Sequence, residues 1–191
     1  MEVTTADIDE YVERYREQEP LYPVEQESVE SLPRAFRTGE YGRRDAQWVV
    51  RWYYRRYLGA FPDDERRDIE TRFAGADFET VRDAIALATE ATPDEYREAL
   101  AALADLPGSN LAVASAFLAF THPEEFIVIG DREWHVVSSL SELADEYPDP
   151  PTAEAYSRYL QTSRGLASDL DCDLRELYMA IWRIWKESAE R

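Results

Sequence analysis

The stretch Leu106-Pro107-Gly108-Ser109-Asn110-Leu111-Ala112-Val113-Ala114-Ser115-Ala116-Phe117-Leu118 decides the fold, because it reads as a helix, a tight turn and a second helix. Pro107-Gly108 stops the first helix, and Asn110 is one of the few non-glycine residues that tolerate a positive φ. The small residues Ala112, Ala114, Ser115 and Ala116 allow close helix packing. Upstream, Thr92-Pro93-Asp94-Glu95 carries the marks of a helix start, with a capping Thr, Pro at the first position and Glu three residues on. That helix brings Tyr96, Leu100 and Leu103 to one side. Downstream, the second helix ends before His122-Pro123. A short extended segment, Phe126 to Ile129, then leads to a helix beginning near Asp131.

The same reading extends to both ends of the chain. Ile8, Tyr11, Val12 and Tyr15 recur at helical spacing and predict a helix capped by Thr5 and running to about Gln18. Pro20 and Pro23 end it, and Leu21 to Gly42 reads as irregular with at most a short helix around Val29. Trp48, Val49, Trp52 and Tyr53 form an apolar stripe on a helix from about Arg43 to Leu58. Shorter helices are expected near Pro62–Phe73 and Phe78–Thr89, and longer ones from about Thr152 and Leu174 after a loop marked by Pro148, Pro150 and Pro151. No alternation of polarity is long enough for a sheet. The expectation is an all-α, multi-helix globular domain, taken as a single body over residues 1–191. Within it, residues 1–42 hold the first helix and the irregular segment, and residues 43–191 hold a helical core with a hairpin at 103–120.

Composition bounds the setting. The chain has 191 residues, with 40 acids against 21 bases and a formal charge of −19. Lys186 is its only lysine. A carboxylate-rich, lysine-poor chain is the expectation for a cytoplasm holding multimolar salt, where charges are screened within about 3 Å and self-repulsion costs little. The acids are spread along the whole chain, which argues against one acidic binding face. Cys172 stands alone, so no internal disulfide forms, in keeping with a reducing compartment. The N-terminus, beginning Met1-Glu2-Val3, has neither a basic start nor an apolar core, so no secretory signal is expected. The longest apolar stretch, Leu111 to Phe120, is too short for a membrane span. The expected localisation is cytoplasmic, with no membrane partner.

From Leu103 to Leu143 the chain resembles the helix-hairpin-helix DNA glycosylase superfamily, which includes endonuclease III and the adenine and 8-oxoguanine glycosylases. The family pattern is Leu-Pro-Gly-Val-Gly, an Ala-rich helix, and a short extended segment ending in a catalytic Asp. The matching pieces are Leu106-Pro107-Gly108, Ala114, and Phe126-Ile127-Val128-Ile129-Gly130-Asp131. Weaker echoes occur in the Trp48–Arg56 and Trp182–Trp185 helices. The departures are specific. Asn110 stands in place of the second hairpin glycine, and the stretch to Asp131 is about one residue longer. Ala112 replaces the nucleophilic lysine of bifunctional members, which rules out a Schiff base there. A lone cysteine leaves no iron–sulfur cluster, so no cofactor is expected.

The resemblance implies DNA binding, with monofunctional N-glycosylase chemistry through Asp131 as the catalytic carboxylate. It implies a base flipped into a pocket beside Trp52, Tyr53 or Trp134. It also implies a phosphate held by the turn around Gly108, Ser109, Asn110 and Ala112. Read as residues alone, Asp131 equally suits a helix N-cap, and the helical spacing of Trp48 with Trp52 and of Trp182 with Trp185 favours a core over base stacking. The alternative reading is a catalytically inactive helical binding or interaction module that keeps the hairpin as a nucleic-acid-binding or structural element, or uses exposed aromatics for a protein partner that is unidentified.

Charge adds an independent pointer. Residues 34–56 hold seven arginines against two acids, a local charge of +5 in a chain of −19. Of these, Arg43, Arg44, Arg51 and Arg55 are the candidate phosphate contacts beside the aromatics. The competing expectation is that these arginines pair with the surplus carboxylates. His122 and His135, the only histidines, are too few for a zinc site, and Ser115, His135 and Asp131 lack the setting of a nucleophile elbow. No metal is expected.

Overall fold

Helix begins at the fourth residue's cap and recurs almost to the end of the chain. A computed structural model describes residues 3–143 and 146–189; Met1 and Glu2, which the reading of the N-terminus includes, lie outside them. Among the described residues there are ten helices and no strand. The all-α expectation is met. None of these helices is long and apolar enough to cross a membrane.

Where residues 1–191 read as one body, the chain divides into two compact units, residues 1–23 with 123–191 and residues 24–122. In the first unit, α1 (Thr5–Gln18), α8 (Asp131–Leu140), α9 (Ala153–Asp169) and α10 (Leu174–Ala189) pack together, with α1 on α10 and α8 on both α9 and α10. The cap of α1 is Thr4 rather than Thr5, and it forms a reciprocal capping box with Asp7. Its apolar stripe buries Ile8, Val12 and Tyr15. On α10, Tyr178 and Trp182 stack on each other.

An ionic cluster joins α1 to α10. Glu19, just past the end of α1, is buried and accepts from Arg183 (2.9 Å), from Lys186 (2.9 and 3.0 Å) and from the Trp182 indole (3.3 Å). The chain's only lysine therefore lies in an internal ion pair.

The second unit holds α2 (Tyr22–Thr38) from its third residue on, with α3 (Arg43–Arg55), α4 (Asp63–Ala74), α5 (Phe78–Thr89), α6 (Arg97–Ala104) and α7 (Leu111–Thr121). The irregular segment expected over Leu21–Gly42 is instead the 17-residue helix α2. Pro23 sits in its first turn, where a missing N–H costs nothing, and Pro33 is tolerated inside it. Its buried positions Glu25, Leu32 and Phe36 follow helical spacing, but the first is a carboxylate. The Trp52 indole donates to Glu25 at 2.7 Å, which lets a charged residue fill a core position.

The start of α6 also differs from the expectation. Thr92-Pro93-Asp94-Glu95 forms a separate turn, in which Glu95 N–H donates to Thr92 Oγ1 at 3.1 Å. The helix itself begins at Arg97. α7 is buried along almost its whole length, with α3, α5 and α6 packed on it.

Candidate nucleic-acid interface

The turn between α6 and α7 is held from three sides. Ser109 N–H donates to the Leu106 carbonyl at 2.9 Å, closing the turn. Gly108 has φ +74°, and a Cβ there would lie 2.5 Å from the Ile69 carbonyl oxygen and 2.8 Å from the Phe73 nitrogen. The glycine is therefore needed twice, for its left-handed backbone and for contact with the backbone of α4.

Asn110 does not use the positive φ it was expected to tolerate. It is extended (φ −157°) and is the N-cap of α7, its Oδ1 accepting from Val113 N–H at 2.9 Å. Its amide nitrogen makes a long contact of 3.5 Å to the Tyr54 hydroxyl on α3. Burial, with the neighbouring Tyr57, pushes the Tyr54 phenol up to about 12, so Tyr54 stays protonated at neutral pH. Ala112 is buried on α7. With Val113 N–H already bonded to Asn110, the amides of Leu111 and Ala112 are the first-turn donors left to meet an anion.

The arginines divide by function. Arg43 donates to the Ala74 and Ala76 carbonyls (3.2 and 2.6 Å) at the end of α4 and lies over the Phe78 ring. It binds a helix C-terminus and stabilises the fold. Arg56 is buried among the rings of Trp52, Tyr53 and Tyr57. Arg44, Arg51 and Arg55, with the half-buried Trp48, recur at helical spacing on one face of α3. Arg44 and Arg55 are exposed. Arg51 and Arg55 both reach Glu70 on α4, at 3.7 and 3.4 Å. The carboxylate-pairing expectation is thus met for two of the four candidate arginines.

The three candidate pocket aromatics are buried. Trp52 is 3% exposed and packs edge-on against Phe120. Tyr53 is 6% exposed beside Tyr54. Trp134, in the other unit, is 1% exposed and stacks on Tyr159. Each is part of a core, the reading that helical spacing favoured for Trp52.

Asp131 is reached through a buried extended segment. Phe126, Ile127, Val128 and Ile129 are all buried with no sheet partner, so their polar backbone groups need others. The hydroxyls of Tyr156 and Tyr159 on α9 supply them, donating to the Ile127 carbonyl at 3.2 Å and the Val128 carbonyl at 3.1 Å. Arg164 donates to the Glu125 carbonyl. The segment ends at Gly130, the N-cap of α8, and Asp131 is the first helical residue. Asp131 is exposed and is not the cap, contrary to the cap expectation.

Compared with protein-family models, curated proteins and solved structures, the chain matches none.

The remaining constellations have structural roles. His122 Nε2 bonds the Ala88 carbonyl at 2.9 Å, tying the end of α7 to α5. Ser115 donates to the Ala112 carbonyl at 2.6 Å within its own helix. Burial raises the Cys172 thiol to about 11, helped by Glu176 and Asp173, which keeps it in the less reactive protonated form. Among the described residues no group of three or more His, Cys, Asp or Glu is placed to hold a metal.

Sequence reasoning missed Glu70, Arg66 and Tyr54. The Arg66–Glu70 pair is visible as an i,i+4 spacing, and its distance is 2.8 Å. That Arg51 and Arg55 converge on the same carboxylate depends on how α3 packs against α4, which no local pattern records.

Proposed function

We propose that this protein binds DNA through the α6–α7 turn and the arginine face of α3. The observation that carries the reading is the closeness of these two features within one unit of an otherwise acidic chain. α3 packs directly on α7, and Asn110, which caps α7, touches Tyr54 of α3. First-turn amides and guanidiniums on adjoining elements are the donors a phosphate backbone requires.

The test is fluorescence anisotropy of a labelled duplex titrated with KCl. Each of Arg44→Ala, Arg51→Ala and Arg55→Ala is expected to weaken binding uniformly across sequences and to reduce the salt slope by about 1. Unchanged slopes in all three variants would overturn the arginine assignment.

Monofunctional N-glycosylase activity through Asp131 is the enzymatic extension of this reading. It is supported by an exposed carboxylate at the first position of α8 that is not the cap. Asp131→Asn is expected to abolish release of a damaged base while leaving the melting temperature within a degree or so, since exposed substitutions shift stability by about 0.5 kcal/mol at most. Full activity in that variant would sink the mechanism. The burial of Trp52, Tyr53 and Trp134 favours the alternative, a catalytically inactive DNA-binding module. Absence of base release by the wild type, with DNA binding retained, would select it.

A further inference from the structure

Three guanidiniums converge on a single carboxylate in the second unit. Arg66 Nη1 lies 2.8 Å from Glu70 Oε1, Arg55 Nε 3.4 Å from Oε1 and Arg51 Nε 3.7 Å from Oε2. Only the first is a normal charge-assisted hydrogen bond, for which about 2.7–2.9 Å is usual. Arg66 also reaches Asp63 at 2.8 Å, so it is well satisfied on its own helix. Arg51 and Arg55, on α3, are not. The Arg51 Nε is buried and has no hydrogen-bond partner, and Arg55 makes only stretched contacts of 3.4 and 3.5 Å.

Glu70 is thus oversubscribed. A carboxylate offers about four lone-pair sites, whereas each guanidinium carries about five N–H donors in a fixed fork. A structural ion pair joining α3 to α4 needs one arginine, and the second adds positive charge without a good bond. A tetrahedral oxyanion with three or more free oxygens satisfies such a cluster better than a planar carboxylate does.

We infer that Arg51, Arg55 and Arg66 form a binding site for a phosphate group, and that the Glu70 carboxylate occupies it as an internal competitor in the unliganded protein. A phosphate enters by displacing Glu70, whose side chain is 15% exposed. The exchange swaps one anion for another, so it proceeds without leaving three cations unneutralised. The ligand chemistry is a phosphate oxyanion, carried by a DNA backbone or by a free polyphosphate. The first source rests on the DNA-binding reading above, and the second does not.

The experiment pairs two probes with two variants at constant KCl. Inorganic pyrophosphate is titrated calorimetrically, and a labelled DNA duplex by anisotropy, into the wild type, Glu70→Gln and Arg55→Ala. Removing the competing charge in Glu70→Gln is expected to tighten pyrophosphate binding about fivefold, the scale of an exposed ion pair. Arg55→Ala is expected to weaken it by a similar factor. Tightening of both probes identifies the ligand as nucleic acid backbone, and tightening of pyrophosphate alone identifies a free polyphosphate. Pyrophosphate affinity unchanged in both variants, or no pyrophosphate binding by either the wild type or Glu70→Gln, overturns the site. DNA binding through the α6–α7 turn would survive that result, so the two failures are distinguishable. Circular dichroism checks folding; if Glu70→Gln melts below the assay temperature, the Arg55→Ala comparison decides.

Discussion

Gly108→Ala is expected to destabilise the protein by about 2–5 kcal/mol. Two penalties combine. A left-handed backbone costs a non-glycine residue about 1–2 kcal/mol, and φ at Gly108 is +74°. Overpacking adds about 1–3 kcal/mol, because the new Cβ would lie 2.5 Å and 2.8 Å from backbone atoms of α4, which cannot rotate away as a side chain would. Urea unfolding at constant salt provides the measurement, and two other glycines separate the contributions. Gly59 has φ +90° with nothing within 4 Å of its Cβ position, so Gly59→Ala should show the backbone penalty alone. Gly165 lies in α9 with open space around it, so Gly165→Ala should stabilise by about 0.5–1 kcal/mol. Equal effects at Gly108 and Gly59 would mean that α4 yields to the methyl group.

Glu19→Ala is expected to cost about 3 kcal/mol, at the lower end for breaking a buried ion pair. Glu19 and Arg183 have side-chain exposures of only 5% and 9%. Without Glu19, Lys186 loses its two contacts to that carboxylate and the Trp182 indole loses its bond to it. Arg183 retains Gln18 and Glu187 at 2.8 and 3.2 Å, which keeps the loss below the maximum. Glu19→Gln should fall between wild type and Glu19→Ala, because an amide oxygen still accepts from Trp182 while the charge is gone. A change under about 0.5 kcal/mol in Glu19→Ala, the range of an ordinary surface substitution, would show that the cluster contributes little.

Much of the fold is legible because its signals are local. The helix α5 over Phe78–Thr89, the cap of α9 at Thr152 and the extended run into Asp131 all follow from residues within one turn of each other. α2 escapes that reading for a tertiary reason. Its core stripe begins with Glu25, which looks like a surface residue until the Trp52 indole, 27 positions away, is seen to donate to it. Two prolines then complete the disguise.

The candidate site divides along the same line. That Gly108 and Asn110 form a turn is readable; that Gly108 is pressed on α4, and Asn110 is an extended cap, depends on packing. Trp48 and Trp52 belong to one stripe, yet only Trp52 is fully buried. Asp131 as an exposed first-turn residue could not be told from Asp131 as a cap, because the two differ by a single position and Gly130 takes the cap.

The division of the chain also sets an order of events during synthesis. Residues 24–122 are continuous and can be completed by the ribosome while the first unit has only residues 1–23. α1 emerges early, but its partner α10 begins only at Leu174, and Glu19 meets an arginine 164 positions later. At about 5–20 residues per second, the nascent chain carries Ile8, Val12 and Tyr15 without that partner for roughly 10–30 s. The acidic residues alternating with this stripe, Asp7, Asp9, Glu10 and Glu13, give the waiting helix a strongly charged opposite face.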